Sequence, residues 1–415
     1  MTKAPVTITE MLPQIMGILE SYGYEKHYLW GTMYGNFSCI ARYYRDRGIA
    51  YYDPNVTNLF LQDFKTRYKN KELSRSYYST VCKAACRLNE FYHSGTLEWN
   101  CNKRGTKFKL NQEYTQLLDA FLSSREFHRN TKWDFAWAIR KYLYYHQMRG
   151  LTSLDIVTVN DTRQFIIDTA KAVAAGSLHN LLCYIRQFHV FLRETGEPAP
   201  DCVALLSYHV PKEMPIRDYV TDDELGRIME QIDCNTLQGK RDKAIISLGA
   251  TTGLRAIDIV QLKLTDIDWY KGEVQLMQSK TGGVLSLPIL PETGDAIKDY
   301  ILNGRPESDS PEIFLRVKAP IQALDNGVAI GYVFDQYAIK AGIKRCAFDG
   351  KSFCGLRRRL ARNMLISGTP ITTIAQVLGH QGMETAKQYL SLDSQNLKEC
   401  ALDFFGIPLE RGDLL

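Results

Sequence analysis

The chain has 415 residues, of which 45% are hydrophobic and 23% are charged. This composition is typical of a globular protein of two or three domains, and it excludes fibrous and intrinsically disordered classes. No stretch approaches about eighteen consecutive apolar residues, so we expect no membrane span. The N-terminus lacks a basic segment followed by an apolar run, so we expect a cytoplasmic rather than a secreted protein.

The net charge of +5 is unevenly distributed along the chain. Residues 1–210 contain 26 Lys and Arg against 19 Asp and Glu, whereas the remaining residues contain 25 against 27. A basic N-terminal half suits a DNA-binding module, because neutralising phosphates supplies much of the affinity for nucleic acid. Many helical domains are mildly basic, so this feature is weak support by itself.

The ten cysteines are scattered along the chain. The closest two, Cys82 and Cys86, are four residues apart, without a second pair or nearby histidines in a metal-ligand pattern. We therefore expect reduced thiols in a cytosolic protein, and neither a structural zinc site nor another bound metal.

Residues 17–95 and 129–196 resemble two copies of one helical unit. Each begins with an aromatic-rich amphipathic segment and reaches an Arg-Gly turn, at Arg47 and at Arg149. Asp53 and Asp155 follow at the same offset of 102 residues. This similarity predicts a duplicated four-helix module of roughly 80 residues, longer than the usual solenoid repeat. Unrelated helical bundles also share such features, so both interpretations stay open.

A linker and an α+β region follow the helical half. Residues 196–215 contain four prolines that interrupt helical periodicity. Thr221 and Glu224 then give a helix-start signature. We predict helices over 222–232, 240–250, 292–303, 330–341, 354–367, 371–378 and 383–390. Short strands are predicted over 273–278 and 284–289, around the turn 280–283.

The domain prediction has four parts. Residues 1–110 form an N-terminal helical module and residues 111–205 a second helical module, followed by a linker over 206–217. Residues 218–415 form an α+β domain with an apolar C-terminal tail suited to docking on its own domain or on a neighbouring subunit. The expected fold class is mainly α with a small β-hairpin sheet.

One arginine is predicted to face inward. On a helix starting at Leu356, apolar residues span angles of 0–180° at 100° per residue, and Arg357 falls at the centre of that arc. A buried guanidinium requires an acceptor, which can be an internal carboxylate or a bound phosphate. Arg358, Arg359 and Arg362 fall on the polar side. They are either a solvated face or contacts to a DNA backbone.

Five further residues accompany this arginine in a specific order. Arg255 and Asp258 lie in and after a Thr-Gly-Leu-Arg segment, and Lys280 lies in the turn between the two strands. His380 ends a Leu-Gly-His segment, and Tyr389 follows nine residues later. Each alone is unremarkable as a surface, capping or core residue. Together they resemble the tyrosine recombinase (phage integrase) family in order and spacing over about 200 residues.

The resemblance implies a fold and a reaction. The preceding helical module would be the family's core-binding (SAM-like) domain, and residues 218–415 its catalytic domain. Tyr389 would attack a DNA phosphodiester to give a 3′-phosphotyrosine and a free 5′-hydroxyl. Arg255, Arg357 and His380 would hold the phosphate, and Lys280, from the minor groove, would protonate the leaving oxygen. Asp258 would orient Arg255. The resemblance implies no metal and no nucleotide cofactor.

Cys354 departs from the family pattern, which usually has histidine three positions before the second arginine. A neutral thiol does not exchange a proton near pH 7 as imidazole does. One hypothesis is that Cys354 preserves packing in a slowed but active enzyme. The other is an accessory member that binds DNA without cutting it.

The partners follow from the same resemblance. We expect a homotetramer on two double-stranded DNA sites, acting for a mobile element in DNA integration or another recombination reaction, with accessory DNA-binding proteins as further candidates. A type IB topoisomerase-like enzyme, which shares the phosphate chemistry, is the alternative among enzymes. No membrane partner is expected.

Overall fold

The computed structural model describes residues 5–98, 108–207, 217–280, 282–346, 349–380, 382, 386 and 389. It is mainly helical with a small antiparallel sheet, as the sequence predicted, and this sheet has three strands in the described part of the chain. The chain divides into two compact units, residues 1–102 with 216–415 and residues 103–215. None of the described helices is both long and apolar enough to cross a bilayer.

The N-terminal module (residues 5–98) has its own hydrophobic core, which includes Phe37, Phe64 and Leu88. A π-helical turn, Leu29–Met33, joins its second and third helices. Its helices are α1 (Ile8–Ser21), α2 (Lys26–Tyr28), α3 (Tyr34–Asp46), α4 (Pro54–Lys69) and α5 (Arg75–Ser94).

The second module (residues 108–207) buries a separate core around Phe121, Tyr142 and Phe188. Its helices are α6 (Gln112–Ser123), α7 (Arg129–Gln147), α8 (Val159–Ala170), α9 (Ala175–Thr195) and α10 (Val203–Leu206). The predicted equivalence of Asp53 and Asp155 is wrong. Asp53 caps α4, whereas α8 is capped by Thr158, three residues after Asp155.

The C-terminal region begins where the capping signature predicted. The Thr221 hydroxyl accepts from the backbone amide of Glu224, and the Glu224 carboxylate accepts from the backbone amide of Thr221. The elements that follow are α11 (Asp222–Glu230), α12 (Leu237–Thr252), α13 (Ala256–Val260), β1 (Ile267–Asp268), β2 (Glu273–Met277), β3 (Val284–Pro288), α14 (Pro291–Asn303), α15 (Gly327–Lys340), α16 (Phe353–Ile366) and α17 (Ile371–Val377).

The sheet order is β1-β2-β3, and β2 pairs with β3 with Met277 opposite Val284. The two longer strands were predicted, whereas the two-residue strand β1 was not. Helices α12 and α16 pack in the main core of this region, which includes Ile245, Leu248 and Leu356. The helix predicted over 383–390 lies outside the described residues except for Ala386 and Tyr389, and the apolar tail lies wholly outside them.

Candidate active site

Arg357 lies inside the protein, as its helical angle predicted. It occupies the first turns of α16 with 6% of its surface exposed. Its Nη1 donates to the carbonyl of Gly253 at 2.9 Å, and its Nη2 donates to the carbonyl of Leu378 at 2.6 Å. It makes no ion pair with any described residue. The internal salt bridge that the sequence left open is therefore absent from the described region, and the positive charge is balanced only by carbonyl dipoles.

These two hydrogen bonds join three segments that are distant in sequence. Gly253 ends α12 in a left-handed conformation, φ +64°, and a Cβ there would approach the side chains of Leu360 and Leu378 to 2.9 and 3.0 Å. Leu378 ends α17, where the backbone amide of His380 bonds the carbonyl of Ala375 and that of Gly379 bonds Gln376. This arrangement is a Schellman motif. It turns the chain so that His380 leaves the helix beside Arg357.

Arg255 begins α13 directly after the Gly253 turn. Its Nη1 is buried and has no hydrogen-bond partner among the described residues, and the nearest carboxylate oxygen, from Asp258, is 3.8 Å away. Burial and the neighbouring Arg357 guanidinium lower the pKa of Arg255, against the smaller effects of Asp258, Tyr389 and Cys354. A second guanidinium with an unoccupied donor next to Arg357 is an arrangement that an anion would stabilise.

Asp258 has a second contact that the sequence did not predict. Its side chain is fully buried, and Oδ1 accepts from the backbone amide of Ser279, the residue before Lys280, at 2.9 Å. Asp258 therefore connects the Arg255 helix to the turn that carries Lys280. Lys280 itself is exposed.

Gln278 is the residue that sequence reasoning missed. It is 2% exposed, and its Nε2 donates to the same Leu378 carbonyl that Arg357 binds, at 3.4 Å. Its backbone closes the turn by bonding Gly282 and Gly283. The signal was present, because Val274 and Leu276 face inward in β2 and Gln278 continues this alternation one residue past the strand. An inward amide requires a polar partner.

His380 and Tyr389 lie against each other. Their rings are stacked with centroids 5.9 Å apart and planes 11° apart, and Tyr389 is 3% exposed. Burial and the positive charges of Arg357 and Arg255 lower the pKa of His380 to about 4. The imidazole is therefore neutral near pH 7. Its Nδ1 is buried and has no partner among the described residues.

One cavity of about 520 Å³ brings these residues together. Arg255, Arg357, Lys280, His380 and Tyr389 all line it, and Cys354, exposed in the first turn of α16, lines it as well. The cavity collects five cationic or imidazole side chains around one phenol, since Arg358 lines it as well, and its lining contains no carboxylate. Such a cavity suits a phosphate rather than a cation.

The outer arginines of α16 have partners within the chain. Arg358 donates to the Gly350 carbonyl at 2.5 Å, and Arg359 bonds the Asp222 carboxylate. The Arg362 guanidinium lies 4.8 Å from the centre of the Tyr219 ring. These contacts hold residues 218–222 and 350 against α16. A DNA contact from any of the three stays a prediction.

The comparisons with known proteins agree with this site. Residues 218–396 match the model of the Phage integrase family. The chain is 33% identical to the integrase/recombinase y4gC of Sinorhizobium fredii over 171 residues, covering 41% of this chain and 86% of y4gC. It is 27% identical to the tyrosine recombinase XerA of Pyrococcus furiosus, covering 62% of this chain and 82% of XerA.

A solved structure shows the same fold. The XerH site-specific recombinase in a post-cleavage complex with difH DNA aligns with a TM-score of 0.57 and 16% identity, over 84% of this chain and 95% of XerH. The present chain belongs to the tyrosine recombinase (phage integrase) family, whose enzymes break and rejoin DNA strands.

Proposed function

We propose that this chain is a site-specific recombinase that cuts DNA through Tyr389. The observation that carries the proposal is the single cavity in which Tyr389 meets Arg255, Arg357, Lys280 and His380. The phenol loses its proton to water, its oxygen attacks the phosphorus, the bond from phosphorus to the 5′-oxygen breaks, and a 3′-phosphotyrosine forms. The departing 5′-oxygen takes a proton from Lys280. Attack by the 5′-hydroxyl of a partner strand reverses the step.

The two guanidiniums bind the non-bridging phosphate oxygens in this proposal. Arg357 is held at a fixed position by the Gly253 and Leu378 carbonyls, so its orientation is set before DNA binds. Arg255 contributes its buried Nη1, which has no hydrogen-bond partner among the described residues and can donate to a phosphate oxygen. The same positive charges stabilise the negative charge that develops on the attacking phenol oxygen.

His380 supports the same phosphate as a neutral hydrogen-bond donor. With a pKa of about 4 it carries no charge at neutral pH, and it does not add to the repulsion between the arginines. Its stacking on Tyr389 positions the phenol ring as well as the imidazole. Cys354 lies where the family usually has histidine and leaves one phosphate contact weaker, so we infer a slow enzyme rather than an inactive one.

The assembly belongs to the same proposal. We infer a homotetramer on two double-stranded DNA sites, acting in the cytoplasm for a mobile element, with accessory DNA-binding proteins as candidate partners. Two neighbours support this by analogy, a lambda integrase tetramer bound to a Holliday junction (TM-score 0.53, 18% identity) and a Tn1549 transposon integrase bound to transposon end DNA (TM-score 0.51, 15% identity).

A nicked substrate tests the proposal. Duplexes that tile the DNA flanking the gene are nicked so that the fragment carrying the 5′-hydroxyl diffuses away and cleavage is trapped. We expect a covalent protein–DNA adduct that is absent from Tyr389→Phe. Absence of an adduct on every duplex, while the protein still binds them, would favour the accessory DNA-binding alternative. Strand exchange between two sites, as opposed to relaxation of supercoils without exchange, separates a recombinase from a topoisomerase-like enzyme.

A further inference from the structure

The two helical modules share specific contacts at matching positions. In the N-terminal module Tyr43 donates to Asp63 at 2.9 Å, and the Arg47 guanidinium lies 3.5 Å from the Tyr43 ring centre. In the second module Tyr145 donates to Asp168 at 2.7 Å, and Arg149 donates to the Tyr145 hydroxyl at 2.8 Å. The tyrosines and arginines are each 102 residues apart.

A second shared contact lies at the start of the third long helix of each module. Tyr44 contacts the Thr57 hydroxyl at 2.7 Å, and Tyr142 contacts the Thr162 hydroxyl at 2.8 Å. Both threonines are the fourth residue of their helices, α4 and α8. Gly48 and Gly150 end the preceding helices with positive φ. The Tyr43 and Arg47 contacts and the positive-φ glycines recur at one offset, as a duplication predicts. The tyrosine–threonine contacts correspond only at the threonine, because Tyr44 and Tyr142 are 98 residues apart.

The modules also share a distribution of charge. The chain has 46 Asp and Glu in 415 residues, so a stretch of twenty should contain about two. Residues 26–45 and 73–89 of the N-terminal module contain none, and neither do residues 135–154 and 169–193 of the second module. These stretches cover most of α3, α5, α7 and α9. Each of these four helices has one acid, near one end, and the other acids lie on the remaining helices and the loops; the four are Asp46, Glu90, Asp134 and Glu194.

In the N-terminal module the acid-free parts of α3 and α5 pack side by side. Thr80 of α5 donates to Asn36 of α3 at 3.4 Å, and Tyr77 makes a hydrogen bond with Cys39. The helices are therefore antiparallel, and one further turn brings Arg42 level with Arg75. Arg42, Arg75 and Lys83 are exposed, and none makes an ion pair with a described residue.

We propose that the N-terminal module is a second duplex-DNA-binding module, which contacts phosphates through the α3/α5 face defined by Arg42, Arg75 and Lys83. A surface with several exposed cations that make no ion pair with a described residue, and with few acids, attracts a polyanion, and each phosphate contact releases condensed counterions. The face is distinct from the Tyr389 cavity, so each protomer holds DNA at a place separate from the cleavage site. The proposal does not depend on strand cleavage.

A salt titration of the full-length chain tests it. Binding to a random-sequence duplex is measured in the Tyr389→Phe background, so that no covalent adduct forms. The triple variant R42S/R75S/K83S should bind about tenfold more weakly at moderate salt and lower the slope of log affinity against log salt by about 2 to 3. The matched control K65S/K69S/K71S removes three exposed lysines at the C-terminal end of α4 and just beyond it, and it should behave as the parent.

Two results would overturn the proposal. Equal losses in both triple variants would indicate a general charge effect, and unchanged binding by the α3/α5 variant would show that DNA does not contact this face. If the first variant fails to fold, as judged by thermal unfolding, S76E/S79E adds negative charge to α5 at exposed positions. Its matched control is Q62E/T66E on α4. S76E/S79E should then weaken DNA binding to the same extent, and Q62E/T66E should leave binding unchanged. Equal weakening by both pairs, or no weakening by S76E/S79E, would again overturn the proposal.

Discussion

The Arg357 Nη2 donates to the carbonyl of Leu378 at 2.6 Å, and this bond fixes the second arginine of the site to the turn that carries His380. The Arg357 Nη1 donates to the carbonyl of Gly253, two residues before Arg255. One buried guanidinium thus sets the positions of three segments that sequence alone identifies only as separate motifs. Several consequences can be measured.

Replacing Arg357 with lysine should reduce cleavage by about 100-fold or more, the usual range for loss of a preorganised charge-stabilising donor. A single ammonium cannot reproduce the planar fork that reaches both carbonyls and a phosphate. The rate of adduct formation on a nicked duplex measures this. Arg362→Lys, at a stacked position outside the cavity, is the control. An R357K rate within a few fold of the R362K rate would contradict the assigned role.

Gly379→Ala should damage both stability and cleavage. Gly379 has φ +61°, and a Cβ there would lie 2.3 Å from the Gln278 amide, which supports the Lys280 turn. Gly368 also has positive φ, +80°, but a Cβ there would meet nothing within 4 Å. Gly368→Ala should therefore cost only the backbone strain, about 1 kcal/mol, and leave cleavage unchanged. Denaturant unfolding and adduct formation compare the two, and equal effects would be inconsistent with the structure.

How much of this site could be predicted from the sequence depends on which atoms make each contact. The inward position of Arg357 follows from helical periodicity, and the turn at Gly253 follows from the glycine before Arg255. The acceptors of Arg357 are backbone carbonyls, which every residue has, so no residue type marks them. Gln278 had a signal in the alternation of β2, but its partner lies 100 residues away.

The relation between the two helical modules was also predicted only in part. The offset of 102 residues that the sequence gives for the Arg-Gly turns also relates the Tyr-Arg contacts of the two modules, yet it mispaired Asp53 with Asp155. Between the Arg-Gly turn and the helix cap the second module has three more residues than the first, so a constant offset fails at the helix start. Insertions of this kind are tolerated in loops, and sequence similarity between two copies therefore breaks there first.

Acid should destabilise the second module through His146. This side chain is fully buried, and burial lowers its pKa to about 4 from the ordinary 6.5. Because the unfolded chain binds a proton more readily, stability present above pH 6.5 is lost as the pH falls from 6.5 towards 4. Neither ring nitrogen has a described partner. His146→Phe should weaken this pH dependence, measured by hydrogen exchange in α7 and α9.

Hydrogen exchange in His146→Phe, followed over the same pH range, shows whether His146 causes the loss of stability in acid. His189, buried in the same module with a pKa also lowered to about 4, will leave part of the dependence in place. An H146F protein with an unchanged pH profile would contradict the prediction.

Cys354→His should increase cleavage. Cys354 lines the cavity one turn before Arg357, where an imidazole can hydrogen-bond a phosphate oxygen. We expect adduct formation to rise about tenfold or more, within the range of a well-placed acid–base group. Cys346→His, at another exposed cysteine that does not line the cavity, should have no effect. Cleavage that is undetectable with either residue at position 354 would instead support an accessory DNA-binding role.

The most direct measurement is the identity of the amino acid that carries the DNA. After trapping on a nicked duplex and nuclease digestion, mass spectrometry of the peptides locates the residual nucleotide. The bond is expected on the Tyr389 oxygen, with phosphorus attached to the 3′ side of the nucleotide. A nucleotide on another residue, or a 5′-linked one, would contradict the assignment of Tyr389 as the nucleophile.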